Sequence, residues 1–198
     1  MNRIRTTAIA STAVAAALVL AGCAPQQSTM PGMNHESGMM SSSAAADFND
    51  ADAMFVTMMI PHHQQAIEMS DTILAKDDVH PDVAELATKI KDAQAPEIEM
   101  MQGWLEDWGV DDGDPMGGMD HGDRMMSEDD MAALNAASGP EASRLFLEQM
   151  IMHHQGAIEM AETEIESGQN PDAVALAHKI VEDQTAEIAT MQDLLDQL

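Results

Sequence analysis

The sequence predicts an all-α protein, an antiparallel four-helix bundle built from two copies of one helical hairpin. Three observations predict it: a long internal repeat, apolar residues at the helical period in each copy, and a proline suited to the first turn of the second helix. His62, His63, Gln64, Ala66, Ile67, Glu68 and Met69 return as His153, His154, Gln155, Ala157, Ile158, Glu159 and Met160. Pro81, Leu86, Lys89, Ile90, Gln94, Glu97, Ile98, Met101 and Gln102 return as Pro171, Leu176, Lys179, Ile180, Gln184, Glu187, Ile188, Met191 and Gln192. A hairpin with one apolar face buries it against a second hairpin, so the duplication implies a bundle.

The elements follow in order. At about 100° per residue, Phe48, Ala51, Phe55, Met58, Met59, His62, Ala66, Met69 and Ile73 share one face of a first helix. A second helix opens at Pro81 and is expected to bury Val83, Leu86, Ile90, Met101, Trp104 and Trp108, with Gln94 and Glu97 inside the same stripe. Pro61 and Pro96 fall within these helices, and because the other copy has Met152 and Ala186 there, they predict kinks rather than ends. Ser127 followed by Glu128, Asp129 and Asp130 reads as an N-cap and acidic first turn of a short helix to about Ala137. Gly139 and Pro140 separate it from the third long helix. Repeat one thus spans residues 48–108, a Met-rich linker 109–127, and the short helix with repeat two 128–198.

Residues 1–22 carry Arg3 and Arg5 ahead of an apolar run too short to span a bilayer, the pattern of a secretory signal. The run ends Leu20-Ala21-Gly22-Cys23, which resembles the processing site of bacterial lipoproteins and makes Cys23 the expected acylated residue. Cys23 is the only cysteine. No internal disulfide is possible, and metal chemistry must use His, Met and carboxylates. The expected location is the extracytoplasmic face of the cell membrane, with residues 23–46 as a flexible tether rich in Ser, Gln, Gly and Pro.

The formal charge of −27 excludes nucleic acid and anionic membrane surfaces as partners. Methionine is the larger deviation, at 20 residues against three phenylalanines and no tyrosine. Met30, Met33, His35, Met39 and Met40 lie in the tether, and Met116, Met119, His121, Met125 and Met126 in the linker, where no core is expected to need them. Thioether and imidazole together suit Cu(I).

The hairpin geometry places a second candidate site in the bundle. His62 precedes the turn near Asp78 by as many residues as Gln94 follows it, so His62 is expected level with Gln94 and Glu97, and His153 with Gln184 and Glu187. Met59, Met69 and Met101, and their counterparts Met150, Met160 and Met191, flank this layer. His63 and His154 point about 100° away, either on the flank beside Val56, Ile60 and Ile67 or toward a neighbouring helix. The alternative is a metal-free hydrogen-bonded layer that only specifies helix pairing, in a structural or interaction protein of the envelope. Catalysis is not expected: the chain has no Glu-x-x-His for a di-iron centre, no open zinc signature, no nucleophile elbow and no phosphate loop.

The segments MMIPHHQQAIEM and MIMHHQGAIEM, each followed by a helix with Q-x-x-E-I, resemble the bacterial domain of unknown function 305 family over about residues 47–198. That resemblance implies a ferritin-like four-helical fold and, because the family includes extracytoplasmic copper-binding members, favours copper over zinc or iron.

Overall fold

The computed structural model describes residues 47–111 and 125–198. Among them all regular structure is helical: α1 (Asp50–Leu74), α2 (Pro81–Trp108), α3 (Glu128–Ala136), α4 (Gly139–Ser167) and α5 (Pro171–Leu195). The expected signal, the Cys23 anchor and the tether cluster lie outside the described residues, as do Met116, Met119 and His121.

Local chemistry accounts for the helix boundaries. The Asn49 side chain accepts the amides of Ala51 and Asp52, and Asp52 accepts the Asn49 amide, a capping box that opens α1. Ser127 and Asp130 form the same box for α3. Prolines occupy the first turns of α2, α4 and α5, where a missing amide hydrogen costs nothing. Pro61 and Pro96 sit inside α1 and α2, which run through them. Phe48 is not part of the α1 stripe: it precedes the Asn49 cap and stacks on Trp108, with ring centroids 4.6 Å apart. Trp104 and Trp108 accordingly remain half-buried rather than joining the core.

The two hairpins, α1–α2 and α4–α5, meet through α1 and α4, and α3 packs across that central pair. The core falls into two clusters. One joins Ala66, Met69 and Ile73 of α1 to Phe146, Leu147 and Met150 of α4, with Leu134 from α3. The other joins Phe55, Val56 and Met59 to Ala157, Met160 and Ala161. The early half of each central helix therefore faces the late half of the other, which makes them antiparallel. Each buried Leu, Ile, Met or Phe contributes roughly 1.5–3 kcal/mol, so both ends of the pair are anchored independently.

Each hairpin also closes the turn of the other. Buried Asp52 of α1 accepts the amides of Gln169 and Asn170 in the α4–α5 turn, at 3.0 and 2.8 Å. Ser143 of α4 accepts the His80 amide in the α1–α2 turn at 3.0 Å. The end of the linker is docked as well, contrary to the expectation that Met126 serves no core. Gln65 donates to the Met126 carbonyl at 2.9 Å and accepts its amide at 2.7 Å, and the Met126 side chain packs on the core.

Candidate metal centre

Between the two apolar clusters lies a layer of four imidazoles. His62, His63, His153 and His154 are each at most 1 % exposed. The His62 and His153 rings meet across the α1–α4 contact with centroids 3.7 Å apart and planes tilted by 34°, and those of His153 and His154 are 6.4 Å apart. Mid-helix position on the antiparallel central pair brings the two repeated motifs to the same level.

The carboxylates belong to the other histidines of each pair. His63 Nε2 lies 2.9 Å from Glu97 Oε2 and His154 Nε2 lies 2.7 Å from Glu187 Oε2. The expectation that Glu97 and Glu187 lie level with His62 and His153 gives the right layer but the wrong partners. The flank position for His63 and His154 is likewise corrected: both are fully buried and face the second helix of their own hairpin. The cause is rotational. His62 and His153 turn to the α1–α4 contact, and the next residue, about 100° on, meets α2 or α5.

Electrostatics favour the neutral form of His63 and of His153. Burial pushes the His63 pKa down, against the opposing pull of Glu97. His153 is driven well below the ordinary histidine value by burial and by His62, His154 and His63 nearby. Burial acts to raise the Glu97 pKa, but His63 and Lys179 outweigh it and hold the carboxyl below its usual range. Lys179 Nζ sits 3.0 Å from Glu97 Oε1, joining α5 to α2, whereas its repeat counterpart Lys89 pairs with Glu85 on its own helix.

A neutral His63 that donates Nε2–H to Glu97 presents an unprotonated Nδ1, and the contact of His154 Nε2 with Glu187 repeats the geometry in the second hairpin. Neither Nδ1 has a hydrogen-bond partner among the described residues, and neither do the buried Oε1 atoms of Gln94 and Gln184. A carboxylate that fixes one ring nitrogen and leaves the other as a lone pair is the usual outer arrangement of a metal-binding histidine. These orphaned buried acceptors fit a cation. Among the described residues, however, no three His, Cys, Asp or Glu side chains converge as a ready cage. Thioethers are needed to complete a coordination shell.

The six methionines expected to flank the layer are all buried but do not form one group. Met59, Met101 and Met160 lie in the cluster on one side of the histidine layer, and Met69, Met150 and Met191 in the cluster on the other. A single site holding both Met69 and Met160 is thereby excluded, because antiparallel α1 and α4 carry these residues in opposite directions. Sequence reasoning missed Lys179 as a bridge and Glu164 as a buried acid. A signal for Glu164 existed, since it stands one turn beyond Met160 where the first repeat has Ile73.

The chain matches the profile of the family described as domain of unknown function (DUF305) over residues 52–195 and again over 10–76. No curated protein matches it significantly. Among solved structures it is similar to a DUF305 protein from Streptomyces coelicolor, at 36% identity over 77% of this chain and 94% of that one, TM-score 0.68. A DUF305 fragment from Deinococcus radiodurans is 32% identical over 76% and 98% of the two chains, TM-score 0.69. CopM in its Cu(II)-bound form is 34% identical over 74% and 96%, TM-score 0.63, and CopM has also been solved with Cu(I) and with silver. This all-helical chain, with its doubled His-His-Gln motif, belongs to the DUF305 family.

Proposed function

We propose that the protein handles copper outside the cytoplasm, binding it for sequestration, storage or transfer while held to the membrane by an acylated Cys23. The observation that carries this reading is the unpartnered Nδ1 of buried His63 and His154, each ring oriented by a carboxylate through its other nitrogen. His62 and His153 complete the imidazole layer, with Met59 and Met101 or Met150 and Met191 as the nearer thioether sources on its two sides. Gln94 and Gln184 supply further oxygen acceptors. Imidazole and thioether ligands suit copper and favour it over oxygen-seeking ions. The similarity to copper-bound CopM supports the same ion, carried as cargo rather than as a catalytic cofactor. The linker and tether methionines, with His35 and His121, would supply further thioether and imidazole donors for the ion.

The absence of a three-residue His, Asp or Glu cage among the described residues favours one competing reading, a hydrogen-bonded layer that only specifies pairing. A melting experiment separates them. Under the copper reading, copper raises the melting temperature in proportion to ligand excess, because it binds the folded state preferentially. His63→Gln with His154→Gln keeps a donor toward Glu97 and Glu187 but removes the lone pairs, and is expected to abolish most of that shift with little change in the metal-free protein. Wild-type protein indifferent to Cu(I) and Cu(II), retaining none after dialysis, refutes the buried site.

A further inference from the structure

A second set of soft ligands lies away from the histidine layer. Near the start of α1 and the end of α4 is a cleft of about 190 Å³ lined by Met54, Met58 and Phe55 from one helix and Met160, Thr163 and Glu164 from the other. Met54 and Met58 are one turn apart on α1, as are Met160 and Glu164 on α4, so four side chains meet across the helix contact. Met54 and Met58 are only partly buried, and they line the cleft wall rather than fill the core. Glu164 is 1 % exposed, and neither of its oxygens accepts a hydrogen bond from a donor among the described residues.

The internal repeat supplies a control. The positions equivalent to Met54, Met58 and Glu164 are Leu145, Gln149 and Ile73. Leu145 and Ile73 belong to the apolar cluster there, and Gln149 donates to the Asp130 carbonyl of α3 at 2.9 Å. That end of the central pair is thus sealed by α3 through ordinary apolar packing. At the other end, the same surface remains a cleft and its lining is replaced by thioethers and an acid.

We propose that this cleft binds a soft monovalent cation, Cu(I) or Ag(I), at a site separate from the histidine layer, with Met54, Met58 and Met160 as thioether ligands and the adjoining Glu164 and Asp52 carboxyl pair as the compensating negative charge. Three thioethers are neutral, so a cation leaving water needs an adjacent anion, which the carboxyl pair of Glu164 and its neighbour Asp52 provides. Zinc, calcium and magnesium gain little from thioether sulfur and are disfavoured. The separation follows from helix rise: Met160 lies seven residues beyond His153, about 10 Å along α4.

The test uses the full chain with carbon-13 labelled methionine methyl groups, titrated with Ag(I). The methyl signals of Met54, Met58 and Met160 are expected to move together along one common saturation curve. Met54→Leu with Met58→Leu, a volume-conserving change, should abolish the Met160 response while helical circular dichroism is retained. His62→Gln with His153→Gln should leave that response in place even where it weakens copper binding in the layer. A Met160 signal that stays still while other methionines respond overturns the site. So does a response that survives the paired leucine substitution. Loss of the response in the paired glutamine variant assigns Met160 to the histidine layer and overturns the separation.

Discussion

Replacing Glu164 with Gln tests the buried acid pair in the metal-free protein. Glu164 is pushed up to about 8 by burial and by the neighbouring Asp52, whereas Asp52 is held below its usual value by the amides of Asn49, Asn170 and Gln169 and by Glu164 itself, against the effect of burial. The folded state therefore keeps a proton that the unfolded chain has released anywhere between pH 4.5 and about 8. Stability from this group is fully present below that window, falls as pH rises through it, and reaches its lowest value above about 8. At about 1.4 kcal/mol for each tenfold change in proton affinity, the upper bound is on the order of 5 kcal/mol. Water entering from the adjacent cleft and the sharing of one proton with Asp52 reduce this to roughly 2–3 kcal/mol. The Asp52 contribution runs the other way and is lost only as pH falls below its depressed value. Glu164→Gln retains a donor toward Asp52 without a group to titrate. Urea unfolding followed by circular dichroism should show the variant roughly 2–3 kcal/mol more stable than wild type near pH 9 and within about 1 kcal/mol near pH 5. Parallel pH profiles for the two proteins would refute the argument.

Two further predictions concern segments outside the bundle. Cys23→Ser should move the protein from the membrane fraction to the soluble fraction, since stable anchoring depends on the acyl chains, and wild-type protein already soluble on fractionation removes the anchor. Replacing Met116, Met119 and His121 by Ser should lower copper capacity with a melting temperature unchanged to within a few degrees, whereas adding Met126→Ser should also destabilise the fold, because that side chain packs on the core. Equal copper capacity would assign the linker composition no role.

The helix pattern was legible because it is written locally. Ser127 and Pro81 sit where a cap and a helix start require them, and the repeat placed His62 and His153 in one layer. What periodicity could not supply was rotation and direction. An error of about 100° separates His62 from His63, and only the packing of α2 and α4 on opposite faces of α1 decides which imidazole meets Glu97. The division of the methionines depended on antiparallel pairing of α1 with α4, which leaves no trace in either repeat alone. Asp52 and Glu164 are equally silent, because their contact joins opposite ends of the chain. The Gln65 clamp on Met126 was hidden for a different reason: a polar side chain on a helix flank carries no mark of the backbone it will hold.

The reciprocal closure of the two turns makes the hairpins mutually dependent partners rather than stacked modules. Asp52 completes a turn in the other hairpin, and Ser143 does so in return. Neither half carries the group that finishes its own bend. A chain cut between Asp111 and Met125 should therefore behave as a split protein, its fragments folding together in trans and each remaining incomplete alone. The histidine layer, with one pair from each fragment, would then assemble only on their association, so metal uptake would report the joining of the halves.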